Sequence, residues 1–194
     1  MIKLDLEKTA LIMIDLQKGI AQGGNYAPYS AESVLENNAR IAKKLKNTDA
    51  LIVCVHVKNH GGETLHPIAD TSNPVRISVP NDFSDFLLPI ANDKNAQNVI
   101  HIAKHNWGAF YGTDLDVQLR RRGIDTILLT GIATTIGVDT TAREAYQGAY
   151  NIIAVEDAMT DITDNDGTYH KETVEKTFKR IARVRSTDEV LEML

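Results

Sequence analysis

The feature that most constrains this chain is a change of pattern at one glycine. Asp125 to Thr130 (DTILLT) is a short apolar run of strand type. Thr130 to Arg143 (TGIATTIGVDTTAR) then carries the chain through small residues into a helix-forming segment that reaches Gly148. Strand, glycine, small-residue turn and helix start together make the repeating unit of α/β folds. The turn leaves backbone N–H groups free at a helix N-terminus, and these donors, with the helix dipole, favour a developing negative charge. It is the candidate reactive segment.

The rest of the chain repeats the alternation. Thr9 to Asp15 (TALIMID), Ala50 to Val57 (ALIVCVHV), Val99 to Ala103 (VIHIA) and Tyr150 to Val155 (YNIIAV) are further apolar runs. A run that is apolar on both faces suits a parallel strand covered by helices on each side. Helical period fills Ser30 to Lys46, with Val34, Leu35, Ala39, Ile41, Ala42 and Leu45 on one side and Ser30 as N-cap. Further helices are predicted over Asp114–Arg122, capped by Asp114 or Thr113, and over Thr135–Gly148, Thr168–Arg183 and Asp188–Leu194. A last short strand falls at Ala182–Val184. The pattern predicts a three-layer α/β/α fold with a doubly wound, mainly parallel, Rossmann-like sheet of six strands, in one domain over residues 1–194. Right-handed crossovers bring the strand C-termini to one edge, where Asp15, Lys104 and the 131–137 turn can meet. Asp157 either ends its strand in the same way or caps the turn that follows.

Composition narrows the function classes. A net charge of −5 gives no basic field for nucleic acid or anionic lipid. No run approaches the ~18–20 apolar residues of a membrane span, and no signal-peptide pattern opens the chain. The single cysteine, Cys54, excludes an internal disulfide and points to a reducing compartment, the cytoplasm. Lying inside a strand, it reads as a buried small hydrophobe. Residues 59–89 hold four of the five prolines and read as a lid or rim, within which Arg76 is the candidate for binding an anion. Trp107, Phe110 and Tyr111, just after Lys104, are either core or the aromatic wall of a pocket.

Three stretches, GIATTIGVDTTAREA, TALIMIDLQKGI and AKHNWGAFYGTDLDVQLRRRGIDTILLTG, resemble the isochorismatase-like hydrolases, the superfamily that includes nicotinamidases and N-carbamoylsarcosine amidase. The resemblance covers nearly the whole chain. It implies Asp15 as the acid, Lys104 as its orienting cation, and Gly137 at the position where most members carry a nucleophilic cysteine. It also implies a non-proline cis peptide at Ile132–Ala133 and an anion site made by the Ala133 and Gly137 N–H groups. Thr134, Thr135, Ile136, Trp107, Tyr111 and Arg76 are the candidate substrate contacts. Zinc or iron amidases of the family use an Asp-x-His pair plus a later histidine. HVKNHGGETLH, with His56, His60 and His66, lacks that pair, so neither a metal nor another cofactor is expected.

Gly137 has no side chain to form an acyl-enzyme. An acid, a cation and backbone donors suit protonation of a double bond or leaving oxygen, then water attack on an oxocarbenium ion. True isochorismatases hydrolyse a vinyl ether in this way, although a Tyr-Ala-His run stands where this chain has Thr134, Thr135 and Ile136. Two alternatives stay open: an amide or C–N hydrolase using activated water or a threonine, and a binding protein on the same scaffold. The partner in each case is a small molecule, and family analogy adds further copies of the chain.

Overall fold

The computed structural model describes residues 3–58, 68, 70, 80–162 and 166–194. In chain order the elements are β1 (Thr9–Ile14), α1 (Lys18–Ala21), β2 (Tyr26–Ala27), α2 (Ala31–Leu45), β3 (Leu51–Val57), β4 (Val99–Lys104) and α3 (Leu115–Arg121). Then come β5 (Thr126–Ile132), a π-helical turn (Thr134–Val138), α4 (Asp139–Gln147) and β6 (Asn151–Ile162). A continuous helical stretch follows, α5 (Thr168–Glu172), a second π turn (Thr173–Phe178) and α6 (Lys179–Ile181), before β7 (Arg183–Arg185) and α7 (Thr187–Met193).

Six parallel strands lie in the order β4-β3-β1-β5-β6-β7, and two-residue β2 adds antiparallel to the far end of β6. The six parallel strands match the predicted sheet. β2 is too short to leave a periodicity. β1 is buried at all six positions, as a strand between two helical layers must be. Alternate strand residues feed two cores. Ile12, Ile14, Val53 and Leu129 pack with α3, α4 and Phe178 on one face. Leu11, Met13, Cys54 and Leu128 pack with α2 and α7 on the other. The order reverses between β1 and β5, and open parallel sheets bind ligands in the crevice at such a reversal.

Two elements, α2 and β6, differ from the sequence reading, and for α3 the structure selects one of the two candidate caps. The face of α2 buries Asn38 and exposes Ala39. Asn38 is tolerated inside because its amide donates to the Val34 and Ala158 carbonyls (2.8 and 2.9 Å) and accepts from Thr130 Oγ1 (2.6 Å). Thr113 rather than Asp114 caps α3, its Oγ1 accepting from Leu115 N–H at 3.1 Å. β6 does not stop at Val155. Leu129 pairs with Ala154 and Gly131 with Met159, so residues 155–158 loop out of register opposite Thr130 and the strand resumes to Ile162. Asp157 sits in this bulge and caps α7, accepting from the N–H and hydroxyl of Thr187, both at 2.7 Å.

Candidate active site

Asp15 follows β1 directly, in a left-handed conformation (φ 55°) that a non-glycine residue holds only where its surroundings fix it. Its N–H donates to the Val55 carbonyl at 3.0 Å, and its carbonyl accepts from Gln17 N–H at 2.8 Å. The side chain is buried, with Oδ2 2.8 Å from the Lys104 ammonium. Oδ1 is buried without a hydrogen-bond partner among the described residues. Such an oxygen is costly to leave bare, and it marks where a proton or a ligand atom is accommodated. Burial pushes the Asp15 carboxyl up to about 6, against the charge and hydrogen bond of Lys104, which pull it down.

Lys104 is the last residue of β4, and its side chain reaches past β3 to Asp15. It is 1% exposed, and Nζ also donates to the Trp107 carbonyl at 2.6 Å. Nζ and Oδ2 thus meet away from water, a contact that offsets only part of the cost of burying the carboxyl.

The π turn supplies the third side of the site. A Cβ at Gly137 would meet Asp15 Oδ2 and Lys104 Nζ, each at 3.3 Å, and Ile14 Cγ2 at 3.0 Å. The missing side chain therefore leaves open the space beside both charges. Upstream, the Ile132–Ala133 peptide is cis. Gly131 (φ 119°) lets β5 run against β1, since a Cβ there would lie 2.1 Å from the Ile14 carbonyl oxygen. The turn is tied down from both ends. Ile136 and Val138 N–H donate to the Ala133 carbonyl, each at 3.1 Å. Thr135 N–H donates to Asp161 Oδ2 at 2.8 Å, and Thr141 Oγ1 donates to the Gly137 carbonyl at 2.6 Å. Thr141 Oγ1 also accepts from Ala109 N–H (3.1 Å), and Glu144 accepts from Phe110 N–H (3.1 Å), so α4 clamps the segment after Lys104 onto the same turn.

Asp15, Lys104 and Gly137, far apart in sequence, thus meet at one sheet edge. Trp107 and Tyr111 are 57% and 74% exposed and are not core, whereas Phe110 leans on the Tyr150 ring at 5.6 Å. Thr134 is buried with its hydroxyl on His170 Nδ1 (2.8 Å), while Thr135 and Ile136 are partly exposed. Arg76, His60 and His66 lie outside the described residues. His56 stacks on Phe86 and meets the Ser84 carbonyl at 2.9 Å, and burial lowers its pKa. Among the described residues no group of three His, Cys, Asp or Glu side chains could hold a metal.

Sequence reasoning took Thr141 only as one of several threonines open to an amide hydrolase, not as a clamp, and missed Glu144, Asp161 and His170 altogether. A signal existed for two of the four, because a period of 3.6 from Gly137 puts Thr141 and Glu144 on one helix stripe. Asp161 was hidden by the bulge, and nothing local marks His170.

The isochorismatase domain model matches residues 9–189. The isochorismatase family protein YwoC of Bacillus subtilis (strain 168) is 40% identical over 200 residues, covering 100% of this chain and 97% of its own. A solved isochorismatase family protein from Burkholderia thailandensis superposes with a TM-score of 0.87 at 34% identity, over 99% of this chain and 97% of that one. Ureidoacrylate amidohydrolase RutB of Variovorax paradoxus (strain S110) is 27% identical over 175 residues, which is 80% of this chain and 69% of its own. A family match over almost the full length, at such identity, makes this chain a member of the isochorismatase family of hydrolases.

Proposed function

We propose that the chain hydrolyses a small, acid-labile molecule of the vinyl-ether type, with no covalent enzyme intermediate and no cofactor. Asp15 is the general acid, and Lys104 orients it and holds the carboxylate left behind. Gly137 stands where cysteine members of the family carry their nucleophile. The observation that carries this reading is the Asp15 carboxyl itself, buried and pushed up to about 6, with Oδ2 beside the Gly137 space and Oδ1 bare among the described residues. An acid held near neutrality in a dry site is fit to protonate carbon.

The proton moves from Asp15 to the terminal carbon of the double bond, and positive charge develops at the ether carbon. Water adds there and returns a proton to Asp15. The hemiketal then expels its alcohol and leaves a ketone. The Ala133 and Gly137 N–H groups receive a substrate anion. Thr135, Ile136, Trp107 and Tyr111 wall the pocket, Thr134 contributes backbone only, and Arg76 binds a second anionic group. Residues 1–194 act as one cytoplasmic domain that pairs with copies of itself, a state that light scattering measures.

The test is pyruvate release from isochorismate in a coupled dehydrogenase assay. Turnover falls as pH rises through about 6, where Asp15 loses its proton, and Asp15→Asn abolishes it. A rate that instead rises through that pH favours a second reading, in which ionised Asp15 activates water against an amide. The amidohydrolase relative supports that alternative.

A further inference from the structure

We infer that His170, on the helical stretch after β6, is a positioning residue that aims the reactive turn through Thr134. The inference rests on reading that turn as the reactive segment. His170 is 2% exposed, and its Nδ1 is hydrogen-bonded to Thr134 Oγ1 at 2.8 Å. Thr134 is the first residue of the π turn and the neighbour of the cis peptide, and it is itself fully buried. The other ring nitrogen faces Glu156 Oε2 at 3.9 Å, and that oxygen accepts from Tyr29 OH at 2.7 Å. The Tyr29 ring meets the imidazole edge-on at 5.7 Å.

The imidazole is thus fixed on three sides by groups that belong to different elements. Glu156 comes from the β6 bulge, Tyr29 from the segment after β2, and Thr134 from the turn itself. Tyr29 is anchored in turn, its carbonyl accepting from Thr160 Oγ1 at 2.7 Å. Asp161 holds Thr135 N–H from the opposite side. Between them His170 and Asp161 hold the first two residues of the π turn, Thr134 by its hydroxyl and Thr135 by its N–H. A cleft of ≈ 460 Å³ lies over Tyr29, Glu156 and His170, so the ring is not wedged into the sheet core and a substituted side chain has room.

The test uses two isosteric replacements that divide the ring. His170→Asn keeps a polar atom near Nδ1, whereas His170→Gln keeps one near Nε2. Thr134→Val removes the hydroxyl alone. Backbone amide exchange of Ile136 and Val138 is read by NMR in the free protein, and kcat and KM are read on isochorismate. In His170→Gln and Thr134→Val the two amides exchange about tenfold faster, the effect of one buried hydrogen bond. His170→Asn stays close to the parent, and kcat falls in the first two with KM little changed. Exchange unchanged in Thr134→Val, or equal behaviour of Asn and Gln, overturns the inference. If the His170 variants do not fold, Thr134→Val decides alone. Amide exchange needs no substrate, so a failure of the acid mechanism leaves this result readable.

Discussion

Asp15 should make the folded protein less stable as the pH rises from 4 to 7, and the size of the effect follows from its burial. An acid with a raised folded pKa binds more protons when folded than when unfolded between the two values. Its stabilisation is complete below the unfolded value of 3.8 and is lost as pH climbs through about 6. The gap is worth about 3 kcal/mol at 1.36 kcal/mol per pH unit. Asp15→Asn keeps the shape and removes the titration of this side chain. The difference between parent and variant therefore isolates this one carboxyl from the other acids of the chain. Unfolding both proteins in urea at half-unit pH steps gives that difference. The parent should lose about 2 kcal/mol of this relative to the variant between pH 4 and pH 7, equivalent to about 4–8 °C in Tm for a chain of this size. Parallel pH curves would refute the reasoning. So would a parent that gains stability with pH, because that is the behaviour of a carboxyl held low by its lysine.

Other substitutions test the neighbouring contacts. Gly137→Ala places a methyl 3.3 Å from both charged groups, so turnover should drop at least tenfold in steady-state assays while chemical denaturation registers a loss of only about 1–2 kcal/mol. Gly131→Ala drives a Cβ to 2.1 Å from the Ile14 carbonyl oxygen at a positive φ, and thermal melting should show a loss of about 3 kcal/mol or more. Cys54 is buried with its thiol pushed up to about 12, so iodoacetamide should leave it unmodified in the native protein, as mass spectrometry would show, and Cys54→Ser should leave turnover unchanged.

The two charges of the candidate site were legible because both close short apolar runs, and a buried parallel strand declares its own end. Asp15 and Lys104 could be assigned to one sheet edge without knowing any contact between them. The turn was legible from its glycines and small residues. What holds the turn was not. Asp161 lies beyond a bulge, where the alternation of β6 is interrupted, and EDAMTD reads as a loop rather than as a strand resuming. His170 reaches Thr134 across 36 residues by a fold-level contact that no local period encodes. Asn38 misled for a related reason. Its place in the core depends on Thr130 and the Ala158 carbonyl, partners that a helical wheel does not display.

The overrun of β6 has a dynamic consequence. One continuous strand is zipped to β5 and β7 in the body of the sheet, and then passes the edge to grip Thr135 through Asp161. The turn at the candidate site is therefore fastened to a strand of the sheet body. Swinging the Thr135 peptide must break its hold on that strand's outer half, so opening the turn costs more than moving an untethered surface loop.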